Sequence, residues 1–157
     1  MFEARFPIRV LSYSLRTDSG GPGKFRGGLA TQRTIRIEAP EIRVSMLMDH
    51  TKSGPWAPAG GSSGALAGVS VKRSRQGQFQ PFIEAFGTSS PSKFADVRLH
   101  QGDEVEIRSC GGAGYGDPLE RARHVIVRDL AEGSISPAAA MRIYGATDLT
   151  AEGRPDS

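Results

Sequence analysis

The stretch FADVRLHQGDEVEIRSCGGAGYGDPLER, residues 94–121, passes in one run from a strand pattern through a glycine string to a helix start. Val97 and Leu99, and then Val105 and Ile107, alternate with polar residues, the period of two that turns one face of a strand inward and the other to water. The turn Gln101-Gly102-Asp103 predicts that these two strands pair with each other. Beyond GGAGYG, Asp117-Pro118-Leu119-Glu120 supplies an N-cap carboxylate, a proline at the first helical position and an acid in the first turn. Leu119, Ala122, Val125, Ile126 and Leu130 recur at helical spacing, so a helix is predicted over 118–132, ended by Gly133. Ser136-Pro137 starts a second helix over 137–144, closed by Gly145.

Upstream the pattern is again one of strands. FPIRVLSYSL, residues 6–15, sets Phe6, Ile8 and Val10 on one face and Leu11, Tyr13 and Leu15 on the other, a period of two with a slip near Val10 that a bulge explains. Strands are expected at 31–38, with Ile35 and Ile37 inward, and at 43–48, with Val44, Met46 and Met48 inward. Short β pieces are expected at Val69–Arg73 and Phe79–Ile83. Between them SGPWAPAGGSSGALAG, residues 53–68, is too rich in glycine and proline for a regular element. Twenty glycines and ten prolines in 157 residues, with 38% apolar, exclude a helical bundle. The expected class is mainly β (α+β): one β-rich domain over 1–146, strands to about 109 and then the helices, with a polar tail over 147–157.

The formal charge is +3, and seven Lys/Arg against only Glu3 and Asp18 in residues 1–36 make a mild basic lobe without any Lys/Arg run. Such a bias is ordinarily a solvated face. The single cysteine, Cys110, excludes an intrachain disulfide framework and a CxxC zinc site and suits a reducing compartment. As a nucleophile it would need a base from His50, His100 or His124, none of which sits in a recognisable motif. With no apolar run of membrane length and no signal-like N-terminus, a cytoplasmic protein is expected.

Each glycine string invites a functional reading that its surroundings refuse. DSGGP at 18–22 surrounds the nucleophile of chymotrypsin-like proteases, but only seventeen residues precede Asp18 and none is a histidine. GGPGKF fails as a phosphate loop, because the first required glycine falls on Asp18 and Phe25 stands where Ser or Thr must be. GGAGYG gives G-x-G-x-G where a dinucleotide site needs G-x-G-x-x-G, and no second strand follows to complete a βαβ unit. Gly20, Gly21, Gly23, Gly27, Gly28, Gly111, Gly112, Gly114 and Gly116 are instead expected to shape the backbone, GGPGKF as a wide turn needing positive φ and GGAGYG as a glycine-lined turn feeding the helix at Asp117. No pair of carboxylates and no His/Asp/Glu cluster has metal-ligand spacing, so no metal is assigned to this chain.

Taken together, ARFPIRVLSYSLRTDSGGPGKFRGGL, GPWAPAGG, GDEVEIRSCGGAGYGDPLER and DLAEGSISPAAAMRIYGA resemble the C-terminal region of the hydantoinase B/oxoprolinase family, over residues 3–146. The resemblance implies a β-rich region with terminal helices in a large subunit that partners a hydantoinase A-like ATP-binding subunit. Such complexes use ATP to open cyclic amides such as hydantoins or 5-oxoproline, with phosphorylation of the carbonyl oxygen activating the carbonyl carbon; related complexes carboxylate acetone or acetophenone. Full-length relatives carry several hundred residues before this region, including His/Asp motifs associated with metal. A fragment, a split-gene product or a small dedicated subunit is therefore expected here. Within the motifs, Ala30, Ala57-Pro58 and Ala113 depart from the family pattern, and alanine tolerates positive φ poorly.

The expected role is that of a structural and interface part of an ATP-dependent cyclic-amide hydrolase, not catalytic alone, with ATP and a divalent metal belonging to the complete complex. The alternatives are the carboxylase branch and a stand-alone anion-binding module. Catalytic residues are not assigned. Arg26, Trp56, Tyr115 and Asp117 are the candidates for active-site or interface contacts, because they flank glycine turns and carry polar or stacking groups. For Asp117 a helix cap is the competing role.

Overall fold

The computed structural model describes residues 3, 5–74 and 77–147; the expected polar tail, apart from Thr147, lies outside them. The chain forms two compact units, each gathered from three separate stretches: 1–14, 31–53 and 66–110 for the first, and 15–30, 54–65 and 111 onward for the second.

The first unit is built on strands. β1 (Ile8–Leu15), β2 (Thr31–Ile37), β4 (Gly68–Lys72), β5 (Gln80–Pro81) and β7 (Glu104–Arg108) form a five-stranded sheet in the order β1-β2-β7-β4-β5. β3 (Glu41–Leu47) and β6 (Lys93–His100) pair antiparallel in a second sheet. Ile37, Val69, Val71, Phe82, Leu99 and Val105 are buried between the elements, with Val44 and Met46 packed against them. The mainly β class, with short helices late in the chain, is therefore what the residues build.

The two strands around Gly102 do not pair with each other. β7 lies between β2 and β4, with Ile35 opposite Val105 and Val69 opposite Ile107, whereas β6 pairs only with β3. The turn is a corner between sheets, and Asp103, 1% exposed, pins it. Its carboxylate accepts from His100 N at 3.0 Å and from Ser74 N at 2.9 Å, so a third segment holds the bend open. The expected strand at Phe79–Ile83 also gives way. It shortens to β5, and α1 (Phe82–Phe86) follows, stopped by Gly87 in the left-handed region. A single helical turn puts Phe82 and Phe86 together, and Phe82 stacks on Phe94 with ring centroids 4.9 Å apart.

In the second unit three glycine-bearing stretches lie backbone on backbone, forming a glycine ply. Gly21 N donates to Gly112 O, Gly112 N to Gly28 O, Gly114 N to Ser62 O and Gly111 N to Ala65 O, all at 2.8–2.9 Å. The glycines serve close approach, not the positive φ expected of GGPGKF: of the nine singled out, only Gly116 is left-handed, at φ 75°. A Cβ on Gly111 would land on the carbonyl of Ser19, and one on Gly27 on the carbonyl of Gly112. Around Gly28 nothing lies within 4 Å of such an atom. Ala30, Ala57 and Ala113 all keep negative φ, so the alanines that depart from the family pattern carry no left-handed strain.

The helix expected over 118–132 is split. Pro118–Glu120 form one 3-10 turn, Arg121 and Ala122 are extended, and α2 runs over Arg123–Ala131. α3 occupies Pro137–Tyr144, opened by Ser136 and closed by Gly145 as predicted. Ile126, Ile135, Ala139, Ala140, Tyr144 and Ala146 make the second unit's apolar core. Gly111→Ala is expected to destabilise the protein by about 3 kcal/mol or more, because backbone cannot yield as a side chain would. Gly28→Ala should stay within about 1 kcal/mol; equal melting temperatures for the two variants in a thermal denaturation would refute the close-packing account.

Candidate functional site

Arg26, chosen from the sequence as a possible contact residue, is held inside the second unit. Its guanidinium grips Asp129 with both arms, Nε to Oδ2 at 3.1 Å and Nη2 to Oδ1 at 3.2 Å. Arg121 adds a third bond, Nη2 to Oδ2 at 2.6 Å, and donates Nη1 to the carbonyl of Lys24 at 3.0 Å. The extended backbone at Arg121 thus has a cause: the side chain is drawn to Asp129 and lies across the Tyr144 ring at 5.8 Å. Asp129 is 1% exposed. Burial pushes its carboxyl up, but the hydrogen bonds and charges of Arg26 and Arg121 outweigh that and hold it below the usual aspartate range. The cluster is a clamp between the glycine stretches and α2.

Tyr115 and Phe25 exchange backbone hydrogen bonds, and their rings lie 6.3 Å apart; both are more than half exposed. Trp56 is 82% exposed and belongs to the same unit, where Pro58 O accepts from Gly116 N at 3.3 Å. Asp117 is a cap: Oδ1 accepts from Leu119 N at 2.9 Å. Leu119, Phe25, Tyr115 and Trp56 are among the exposed apolar or aromatic groups of this unit, and each is more than half exposed. Ser19 is buried, with its hydroxyl donating to Arg16 O and accepting from Ala30 N, a loop-fastening role.

The ply also answers whether its glycines can hold phosphate. The amides of Gly21, Gly27, Gly111, Gly112 and Gly114 all donate to backbone carbonyls, and Lys24 is paired with Glu120 at 3.1 Å. Those five amides are spent within the backbone and are not presented to a phosphate. Among the described residues no group of three or more His, Cys, Asp or Glu is placed to hold a metal.

The first unit carries a groove of about 340 Å³ that the sequence did not point to. Tyr13, Thr31, Arg33, Met48, His50 and Cys110 are among its lining residues. Thr31 and Arg33 alternate in phase with Ile35 and Ile37, and Arg33 lies opposite Ile107, so the groove opens where the core face of the sheet ends. His50 has left-handed backbone, φ 55°, and its Nδ1 lies 3.1 Å from Ser53 O. Both residues that sequence reasoning missed, Arg33 and Asp129, had a visible signal: each is a charge at a position in phase with apolar neighbours, Ile35 and Ile37 for one, Val125 and Ile126 for the other.

These features define a mainly β module with an antiparallel five-stranded sheet, a glycine ply and two closing helices. The chain belongs to the hydantoinase B/oxoprolinase family, whose model matches residues 1–118. It is 31% identical over 153 residues to the caprolactamase subunit beta of Pseudomonas jessenii, covering 92% of this chain and 24% of that protein. It is 28% identical over 172 residues to the acetophenone carboxylase delta subunit of Aromatoleum aromaticum, covering 90% and 24%. The crystal structure of an ATP-dependent caprolactamase from Pseudomonas jessenii superimposes with a TM-score of 0.75 at 25% identity, over 91% of this chain and 24% of that one. The chain spans about a quarter of the length of the curated relatives it matches.

The clamp has a pH signature. A carboxyl held below its ordinary value stabilises the folded state fully at neutral pH, and the contribution is lost as pH falls from the ordinary 3.8 through the lowered folded value. Asp129→Asn strands two guanidiniums and is expected to cost about 3–5 kcal/mol at pH 7. In denaturant titrations the gap between wild type and variant should narrow as pH falls below 3.8; a gap that stays constant would show that Asp129 is not held as an ion.

Proposed function

We propose that this chain is a structural and interface part of an ATP-dependent complex that opens cyclic amides, working beside a hydantoinase A-like ATP-binding subunit and the remainder of a hydantoinase B-like subunit. The observation that carries this is the family match over 1–118 in a chain only about a quarter as long as its relatives. Two further facts support it. The charged cluster of the second unit is spent on holding backbone together, and the amides of Gly21, Gly27, Gly111, Gly112 and Gly114 are already bonded. Exposed aromatic groups, Trp56, Tyr115 and Phe25 in one unit and Tyr13 in the other, suit surfaces that a partner covers.

On this proposal ATP and the divalent metal are held by other parts of the complex, and the chemistry of carbonyl activation belongs there. Arg26 then acts as a positioning residue through Asp129, Asp117 acts as a cap, and Trp56 and Tyr115 meet the partner. The carboxylase branch is a second reading, favoured by the similarity to the acetophenone carboxylase delta subunit. No helix among the described residues is long and apolar enough to cross a membrane, which agrees with a complex assembled in water.

The test is co-expression with hydantoinase A-like and B-like polypeptides and affinity purification through this chain. Co-purification is expected, with ATP-dependent ring opening only in the assembled sample. Trp56→Ala and Tyr115→Ala should weaken recovery of the partner about tenfold each while leaving the melting temperature of the isolated chain unchanged. Ring opening by the isolated chain, or no association under any condition, overturns the proposal.

A further inference from the structure

We propose that the groove at the end of the first unit's core is a binding site for a small carboxylate with an apolar body, with Arg33 as its anchor. This does not rest on the function proposed above.

The cations of β2 and its neighbours show how unusual Arg33 is. On the face opposite the core, Arg36 bonds Glu104 at 2.9 Å, Lys72 joins the same carboxylate, and Arg108 lies 3.4 Å from Glu106. Arg33 is on the other face, in phase with the buried Ile37, and no carboxylate of the described residues pairs with it. It lies over the Tyr13 ring, with the guanidinium carbon 4.8 Å from the centroid. Arg33 is partly exposed at the mouth of the groove, so its guanidinium donors, free of a counter-ion, are open to a ligand. Stacking on Tyr13 fixes the plane of the group and leaves its edge for an anion.

What surrounds Arg33 selects among anions. Met48, Ala67 and Ile107 give the groove apolar walls, and its volume is at the lower end of small-molecule sites. Thr31 and Ser109 are already bonded to each other, Oγ1 to Oγ at 3.2 Å, so they do not make a second hydroxyl cradle of the kind a phosphate needs. Asp49 also lines the groove, exposed and not ion-paired with Arg33 among the described residues, and it disfavours a doubly charged ligand. One negative charge with a short hydrocarbon chain meets every requirement: a bidentate carboxylate on the guanidinium and methylenes against Met48 and Ile107.

The experiment titrates the full chain with acetate, hexanoate, hexanamide and inorganic phosphate, followed by amide and methyl NMR shifts. Hexanoate is expected to bind saturably and more tightly than acetate, to shift Ala67 and Ile107, and to be weakened about tenfold or more by Arg33→Gln. Hexanamide and phosphate should leave the groove unchanged. The proposal is overturned if hexanoate causes no saturable shifts, if hexanamide or phosphate binds as well, or if Arg33→Gln binds hexanoate like the wild type. Should Arg33→Gln fail to fold, the location of the hexanoate shifts in the wild type decides: shifts away from Arg33, Ala67 and Ile107 sink it.

Discussion

Three stretches of backbone in the second unit approach each other more closely than any side chain allows, and the amides and carbonyls brought together satisfy one another. Gly27 faces the carbonyl of Gly112, Gly111 that of Ser19, and Gly114 that of Pro22. Ordering so many glycines is entropically expensive, since each gives up more backbone freedom than any other residue. The compensation is a dense set of buried main-chain hydrogen bonds, from Gly21, Gly111, Gly112 and Gly114 among others. Three of the four residues that the sequence pointed to in this unit hang from that ply: Arg26 precedes Gly27, Tyr115 follows Gly114 and Asp117 follows Gly116.

Two charges sit where an apolar side chain belongs, and they are treated differently. Asp129 occupies the inner stripe of α2 and is closed in by two guanidiniums, so it fastens a helix to two loops. Arg33 occupies the inner face of β2 and is left with an aromatic ring and an open groove. The first arrangement has the economy of a structural clamp, in which every donor aimed at the carboxylate is consumed. The second keeps donors in reserve, which is how a recognition site differs from a brace.

Most strands and the final helix were legible because their signals are local. Alternation located β1, β2, β3, β6 and β7, a short β piece was expected where β4 lies, and Ser136-Pro137 with Gly145 marked both ends of α3. What was not legible depended on distant partners. Val97 and Leu99 match Val105 and Ile107 in period, yet β6 goes to β3, because the carboxylate of Asp103 bonds Ser74 N as well as His100 N and turns the chain into a corner. Arg121 broke a helix whose pattern looked continuous, because Asp129 and Lys24 O compete for its side chain. The glycines were recognised as backbone-shaping, but the reason for them lies in contacts between stretches that no periodicity reports. Of the candidate contacts, the cap role of Asp117 was readable from Asp-Pro-Leu-Glu; the ion pair of Arg26 was not.

The two units take turns along the chain: each draws on three stretches, and the stretches alternate. The polypeptide therefore crosses from one unit to the other five times, at 14/15, 30/31, 53/54, 65/66 and 110/111. Neither unit can be completed during synthesis until the last of its stretches has emerged, so the pairing of β2 with β7 and of Gly21 with Gly112 both close loops of high contact order. No single cleavage of the backbone can release either unit whole.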